Sequence, residues 1–441
     1  MSEWEKVKIG DVCKIVKGTT GIASAVPGEF PLVVTAVERK TCSTYQFDCE
    51  AVCIPLVSSS GHGKKSLNNV HYQSGKFALG TILCAAIPNN PDELDARYLH
   101  QYLQFYKDMV LVPLMKGAAN VSLSMKDIAG VSIPLPPIQR QRELAEMFVT
   151  LQEKQKELFA EFEKQTEYAK QLRKNILQEA IEGKLTADWR KQHPVQKGNP
   201  DYDAEALFEK IQTEKQKKGK KQKPLPAITE AEKPFAIPSG WKWVRMGDVC
   251  EYVHRGRSPK YGMEEQLPII AQKCNQWDKI YTNRCLFADV ASIEKYTKEH
   301  YLLLGDIIIN STGGGTVGRT GLIKEYVFEK YKQFVVDSHV TIVRGDSILK
   351  KEFLYFFLTS PYIQSGLEER CSGSTNQLEL ATTTIREYIM PFPPLAEQKE
   401  IVARVEKHLQ TITQLETQIA TRETTSKQLM QSILKDAFEE G

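Results

Sequence analysis

No stretch of this 441-residue chain approaches the roughly 18 to 20 consecutive apolar residues that a membrane span needs. The N-terminus MSEWEKVKIG also lacks the apolar core of a secretory signal, so a cytoplasmic protein is expected. Surplus charge is scarce too: the formal net charge is only +3, and any contact with a polyanion must come from how charge is distributed. Nine cysteines in such a chain read as reduced, mostly buried thiols. Cys42, Cys49 and Cys53, with His62 and His71 nearby, match no finger or ribbon spacing, so no metal site is expected.

Catalytic motifs are missing as well. Gly313 to Thr320 imitates a phosphate-cradling loop, but Arg319 stands where the lysine belongs. A strand-like run follows it instead of the helix whose N-terminus would hold a phosphate. No Asp/Asn-Pro-Pro-aromatic string and no glycine-rich cofactor loop is present; Asn89-Asn90-Pro91-Asp92 is neither. Asp337-Ser338-His339 sits on a predicted strand, where neighbours point to opposite faces, so it cannot form a triad. The chain therefore reads as non-catalytic, with no cofactor of its own.

What is there is a repetition. Trp4, Val7, Gly10, Asp11, Val12 and Cys13 return as Trp241, Val244, Gly247, Asp248, Val249 and Cys250, an offset of 237. Pro136-Pro137-Ile138 and Gln141 return as Pro393-Pro394-Leu395 and Gln398, now offset by 257. That second offset holds to the end: Leu172, Ile176, Leu177 and Ala180 become Leu429, Ile433, Leu434 and Ala437. Loops tolerate insertions, and the segment after each Pro-Pro has tolerated none.

From Ile138 to Glu182 there is neither proline nor glycine, which predicts a helix on the order of 65 Å long. Proline ahead of its first turn is well placed there. A heptad seam is expected through Leu144, Phe148, Leu151, Leu158, Phe162, Ala169, Leu172 and Ile176, with Gln155 and Gln165 counted in. The second copy reads Ile401, Val405, His408, Ile412, Leu415, Ile419, Arg422, Ser426, Leu429 and Ile433. An antiparallel pairing that sets Leu144 against Ile433 places Gln155 opposite Arg422, a polar layer that could fix register. The expected fold is α+β (mixed α/β): two globular domains with an antiparallel two-helix coiled coil and a pseudo-two-fold repeat.

Each globular domain has short strands (Lys8–Val16, Pro31–Val37 and Gly80–Ala86; Val244–Val253, Leu267–Ala271 and Gly305–Asn310). A helix follows, over Asp95–Tyr106 or Lys350–Leu358, and then a glycine-and-amide loop. Only residues 185–238 have no copy. They hold a predicted helix, Asp201 to Lys217, with a thin stripe of Ala206, Phe208 and Ile211, and then a lysine-rich tether.

The middles of the two domains share no sequence, but both gather amides and cations on loops. The first offers Lys17, Thr19, Thr20, Arg39, Lys40, His62, Lys64, Lys65, Asn68 and Asn120. The second offers Arg255, Arg257, Lys260, Lys273, Asn275, Gln276, Arg284, Ser311, Thr312, Thr316, Arg319, Ser374 and Asn376, beside Tyr252, His254 and Tyr261. Arg, Asn and Gln can grip purine edges in two places, while Lys, Ser and Thr suit phosphates.

The Pro-Pro-Leu/Ile-x-x-Gln heads, the Ile-Leu-x-x-Ala tails and Ile237-Pro-Ser-Gly-Trp241 together resemble the DNA-specificity subunits of type I restriction-modification systems. Leu185-Thr-Ala-Asp-Trp189 and Gly305-Asp-Ile-Ile-Ile-Asn310 strengthen the likeness, which covers nearly the whole chain. The resemblance implies two target-recognition domains, at 1–136 and 239–393. It implies helical spacers at 137–184 and 394–441, and a linker at 185–238. Each domain would read half of a gapped site in double-stranded DNA, and the helices would dock two methyltransferase subunits. Those partners would bring S-adenosylmethionine, and restriction/translocase subunits ATP and Mg2+. A methylation-only system and a two-headed coiled-coil adaptor without a DNA role are the alternatives.

Overall fold

The computed structural model describes residues 4–60, 63–217, 224–373 and 378–439. The described residues fall into two compact units: those up to Lys164 with those from Gln418 on, and Gln165–Thr417.

In the first unit, strand Leu83–Pro88 pairs antiparallel with both Cys13–Lys17 and Ala51–Pro55, and His71–Gln73 extends the sheet. A second sheet sets Phe30–Val33 antiparallel to Lys40–Cys42 and parallel to Lys76–Leu79. Lys6–Lys8 pairs with Ser132–Pro134, closing the start of the domain onto the strand that precedes Pro136. Helix Ala96–Val110 covers the first sheet, burying Tyr98, Leu99 and Leu103. Its N-cap Asp95 accepts from the amides of Arg97 and Tyr98, pairing two of the donors a helix start leaves open.

The second unit repeats most of this topology, except that Tyr261–Gly262 pairs with Leu286–Ala288 whereas Phe47–Asp48 of the first unit pairs with Lys76–Leu79. Val340–Gly345 lies between Cys250–Arg255 and Ile307–Asn310, with Thr320–Leu322 beyond. Pro268–Ile270 pairs antiparallel with Leu286–Ala288 and parallel with Val335–Val336. Lys242–Arg245 closes onto Ile389–Phe392. The parallel pairs Leu32/Ala78 and Ile269/Val335 bracket the place where the offset changes from 237 to 257. This order also corrects one expected match. Ile307–Asn310 occupies the position of Ala51–Pro55, and the counterpart of Leu83–Pro88 is Val340–Gly345. Short apolar strands buried on both faces look alike, so sequence alone misaligned them. The run Lys8–Val16 is likewise not one strand, because Ile9–Val12 forms a helical turn inside it.

Two repeated residues explain parts of the repeated strings. Gln141 and Gln398 are fully buried beneath the Pro-Pro. Gln141 Nε2 donates to the carbonyls of Pro136 (2.7 Å) and Glu93 (2.8 Å), and its Oε1 accepts from the Asp95 amide (2.9 Å). Gln398 donates to the Pro393 carbonyl (2.9 Å) and accepts from the Lys350 amide (3.2 Å). In each unit one amide side chain thus ties the long helix to the start of the domain's own helix. The Gly305-Asp306 string has a structural post too: Asp306 takes two hydrogen bonds from Arg344, at 2.7 and 2.6 Å.

The long helices run Ile138–Ile181 and Leu395–Glu439. In each unit the start of one lies antiparallel to the end of the other. Phe148 stacks on Phe438 at 4.6 Å in the first unit, and Arg173 pairs with Glu416 at 3.0 Å in the second. The register is not the expected one, in which Phe148 would have met Leu429. What sets it is Phe438, which is 1% exposed and packs among Tyr98, Tyr102, Tyr106 and Phe148 of the domain core. An aromatic plug outweighs a polar layer because it buries far more apolar area.

The expected heptad spacing is also corrected. The inward residues of the first helix are Leu144, Phe148, Leu151, Gln155, Phe159, Phe162, Thr166, Ala169, Arg173, Ile176 and Ala180. Ten steps across thirty-six residues is the period of a straight helix, 3.6, and not that of a supercoil. Leu158 and Leu172 therefore turn outward, at 40% and 45% exposed. In the second helix Ile401, Val405 and Ile412 are buried and Ile419, Ser426 and Ile433 half-buried, whereas Leu415 and Leu429 are 44% and 59% exposed. His408 and Arg422 are exposed as well, and Leu409 and Glu423 take the inward positions.

The uncopied segment folds onto the second unit. Its helix, Ala204–Lys217, buries the expected Ile211 and packs Phe208 partly on the core, while Ala204 and Leu207, not Ala206, complete the buried stripe. Lys215 Nζ donates to the carbonyl of Asp248 at 2.7 Å. The two strings Leu185–Trp189 and Ile237–Trp241 meet at a buried carboxylate, Glu397, which accepts from Thr186 Oγ1 (2.7 Å), from Trp241 Nε1 (2.6 Å) and from Arg190.

Candidate nucleic-acid interface

In each unit the end of the first core strand is pressed against a neighbouring backbone. A Cβ at Gly18 would stand 2.2 Å from the Gly80 carbonyl oxygen, and one at Gly256 would stand 2.1 Å from that of Val336. Only glycine permits this approach. It fixes where Lys17, Thr19 and Thr20 leave the first unit and where Arg255 and Arg257 leave the second. Gln46 brackets the first exit, donating to the Lys17 carbonyl and accepting from the Thr19 amide, both at 2.9 Å.

The structure also brings distant candidates together on paired loops. In the first unit the loop after Ala51–Pro55 lies against residues 116–123. Ser58 N donates to Val121 O at 3.0 Å, and Leu123 N donates to Leu56 O at 2.9 Å. Lys64, Lys65 and Asn68 are exposed on one loop and Asn120 on the other. In the second unit the matching segments are 311–319 and 378–380, joined by Leu380 N to Ser311 O (2.8 Å) and Gly313 N to Leu378 O (3.0 Å). Arg255 joins this corner, pairing with Glu379 at 2.8 Å and donating to Leu380 O at 3.0 Å. Gly313–Gly318 opens onto strand Thr320–Leu322 and not onto a helix. His62, Ser374 and Asn376 lie outside the described residues.

Several candidates hold structural posts instead of free ones. Asn275 and Ser311 are fully buried: Asn275 Nδ2 donates to Asn310 Oδ1 (3.1 Å) and Arg319 O (2.9 Å), and Ser311 shares a 2.5 Å bond with Thr341. Arg319 is half-buried, donating to Gln276 and, at 3.0 Å, to the Gly315 carbonyl. Thr316 donates to the Thr312 carbonyl at 3.0 Å, while Thr312 Oγ1 meets Gln272 at 2.9 Å and His339 at 2.8 Å. Arg39 is held by Gln73 (3.1 Å) and the Val37 carbonyl (3.0 Å), and it donates to His71 Nδ1 at 3.2 Å. Burial first, then the Arg39 charge, holds the His71 pKa down at about 4, so the ring is a neutral acceptor.

The exposed cations are Lys17, Lys40, Lys64, Lys65, Arg257, Lys260, Lys273 and Arg284. Arg257 donates to His300 Nε2 at 3.0 Å; burial, and then this guanidinium, lowers the His300 pKa. Arg284 lies 4.1 Å over the Tyr281 ring. Residue types alone missed Gln46, Gln272 and Glu379. Each brackets a candidate through backbone positions far away in sequence, and no local signal marks that. Among the described residues no group of three or more His, Cys, Asp or Glu could hold a metal, and no helix is long and apolar enough to cross a membrane. The corner thus combines glycine-permitted backbone approach, amides and exposed cations. Such a set of groups suits a polyanion.

Comparison with known proteins gives a consistent picture. The family model for the type I restriction modification DNA specificity domain matches residues 1–167 and again 238–422. The chain is 29% identical over 283 residues to the type I restriction enzyme EcoAI specificity subunit of Escherichia coli, covering 60% of this chain and 44% of that one. It thus spans less than half the length of that relative. It is 24% identical over 443 residues to the EcoDI specificity subunit of Escherichia coli, covering 99% of this chain and 88% of that one. A solved structure, from work on complex assembly and conformational transition of the type I R-M system, shares the fold. The TM-score is 0.62 at 18% identity, over 99% of this chain and 97% of that one.

Proposed function

Because this chain belongs to the family of type I restriction modification DNA specificity domains, we propose that it is the sequence-specific DNA-binding subunit of a type I restriction-modification complex. Residues 1–136 and 239–393 act as its two target-recognition domains, each reading one half of a bipartite, gapped site in double-stranded DNA. The long helices set the spacing between half-sites and dock two methyltransferase subunits, and residues 185–238 link the halves. The chain itself is non-catalytic and works in the cytoplasm. S-adenosylmethionine, ATP and Mg2+ belong to the methyltransferase and restriction/translocase partners, and the methylated adenine is flipped out to be reached.

One observation carries the reading: a single topology occurs twice, and the corresponding corners carry loops of unlike sequence. Two readers that share a scaffold but differ in surface suit a site with two different halves. The test is duplex binding by the chain assembled with its methylation partner, together with mapping of methylated adenines with and without the gene. A steep fall of affinity with salt and a gapped methylation motif are the expected results. A flat salt response with no motif would refute the reading.

A further inference from the structure

The connection between Phe30–Val33 and Lys40–Cys42 is short, residues 34–39, and its counterpart between Pro268–Ile270 and Leu286–Ala288 is long, residues 271–285. The longer version ends in a tight turn at Gln276–Lys279, closed by Gln276 N to Lys279 O at 3.1 Å. At its tip Trp277 is 56% exposed, whereas Trp241 of the same unit is 8% exposed.

The turn is braced from several sides. Asn275 donates to the Arg319 carbonyl at 2.9 Å, and Gln276 accepts from the Arg319 guanidinium. Ile280 N donates to Tyr326 Oη at 3.0 Å, and Tyr281 Oη donates to Asp278 Oδ2 at 2.5 Å. These bonds assign Asn275, Gln276 and Arg319 a second role, as struts that join the turn to the glycine loop. An indole 56% exposed leaves apolar surface in water, and a braced turn cannot fold it away.

The surroundings are cationic. Lys279, Lys324 and Asp278 line the same recess as Trp277, and Lys273 and Arg284 are exposed on the same connection. The Tyr281 ring carries Arg284 at 4.1 Å and Lys279 at 4.8 Å. A flat apolar plate rimmed by cations fits a surface made of sugars, base faces and phosphates. We propose that Trp277 contacts the target duplex in the half-site read by the second unit, packing on a sugar or base while Lys273, Lys279 and Arg284 meet phosphates. This rests on the reading of the chain as a DNA-binding subunit and adds a contact residue on a connection that is short in the first unit.

The experiment uses the full chain assembled with its methylation partner, comparing wild type, Trp277→Ala and Trp277→Phe. Binding to a duplex carrying the mapped site should weaken about 10- to 100-fold in Trp277→Ala and by no more than a few-fold in Trp277→Phe. Methylation should relax at the second unit's half-site only. Wild-type affinity and selectivity in Trp277→Ala would overturn the proposal while leaving the DNA-binding reading intact. Absence of duplex binding by the wild type would remove both. If Trp277→Ala lowers the melting temperature, the double variant Lys273→Ala/Lys279→Ala takes its place. Its slope of log affinity against log salt should fall by about 2, and an unchanged slope counts against the proposal.

Discussion

The indole Nε1 of Trp241 donates to Glu397 Oε2 at 2.6 Å, in a site where Glu397 is 2% exposed. The same carboxylate accepts from Thr186 at 2.7 Å and from Arg190, so one buried charge gathers three separate stretches of chain. Glu397→Leu leaves the guanidinium and the indole N–H without their acceptor and should cost about 3–5 kcal/mol. Glu397→Gln keeps the shape and should cost about 1–3 kcal/mol. Denaturant unfolding of the two variants checks this; equal and small losses would show that the carboxylate anchors nothing.

The helix pair offers a test of period. A heptad seam makes Leu158 equivalent to Phe162, and Leu415 equivalent to Ile412. The structure makes them unequal, because Phe162 and Ile412 are 6% and 1% exposed whereas Leu158 and Leu415 face solvent. Phe162→Ala should cost about 3–5 kcal/mol and Ile412→Ala about 2–5 kcal/mol. Leu158→Ala and Leu415→Ala should stay within about 1 kcal/mol. Thermal unfolding of the four variants decides, and losses at Leu158 matching those at Phe162 would restore the heptad.

These two cases mark how far the sequence could be read. The arms were legible because their signal is local: no proline, no glycine, apolar residues on one face, and an offset that never slips. Their register was not, because Phe438 finds its place among Tyr98, Tyr102 and Tyr106, residues more than three hundred positions away. The strand order of the middles was hidden for the same reason. Among the loop residues, type suggested a chemistry but could not tell which side chains are available. Asn275 and Ser311 look like readers and are buried, while Trp277 carries no loop signal in sequence and is exposed.

His71 gives the first unit a pH dependence of known sign. Its pKa is lowered to about 4 by burial, by the Arg39 charge and by His100, against roughly 6.5 in an unfolded chain. The unfolded state therefore binds the proton first as pH falls. Stability is fully present above about 6.5 and is lost as pH drops toward 4, by up to about 1 kcal/mol per pH unit from this group. His100, also lowered by burial, adds in the same direction. Melting temperatures between pH 7 and 5 should fall less steeply in His71→Gln, which keeps an acceptor for Arg39. An identical slope would mean that His71 is not held neutral.

The proposed role of the helices as a spacer makes a prediction that depends on the measured period. Ten steps in thirty-six residues means that eighteen residues complete five turns and return a helix to the same face. Seven residues fall about 20° short. An eighteen-residue insertion of matching pattern in both helices should keep the inward faces aligned, leave both half-sites unchanged and lengthen the unread gap. A seven-residue insertion should turn the inward faces and weaken methylation for the same pair of half-sites. Mapping methylated adenines in cells that carry each version reads both outcomes directly. Altered half-sites with an unaltered gap would place the spacing elsewhere, since a spacer can change only how far apart two readers stand and not what each one reads.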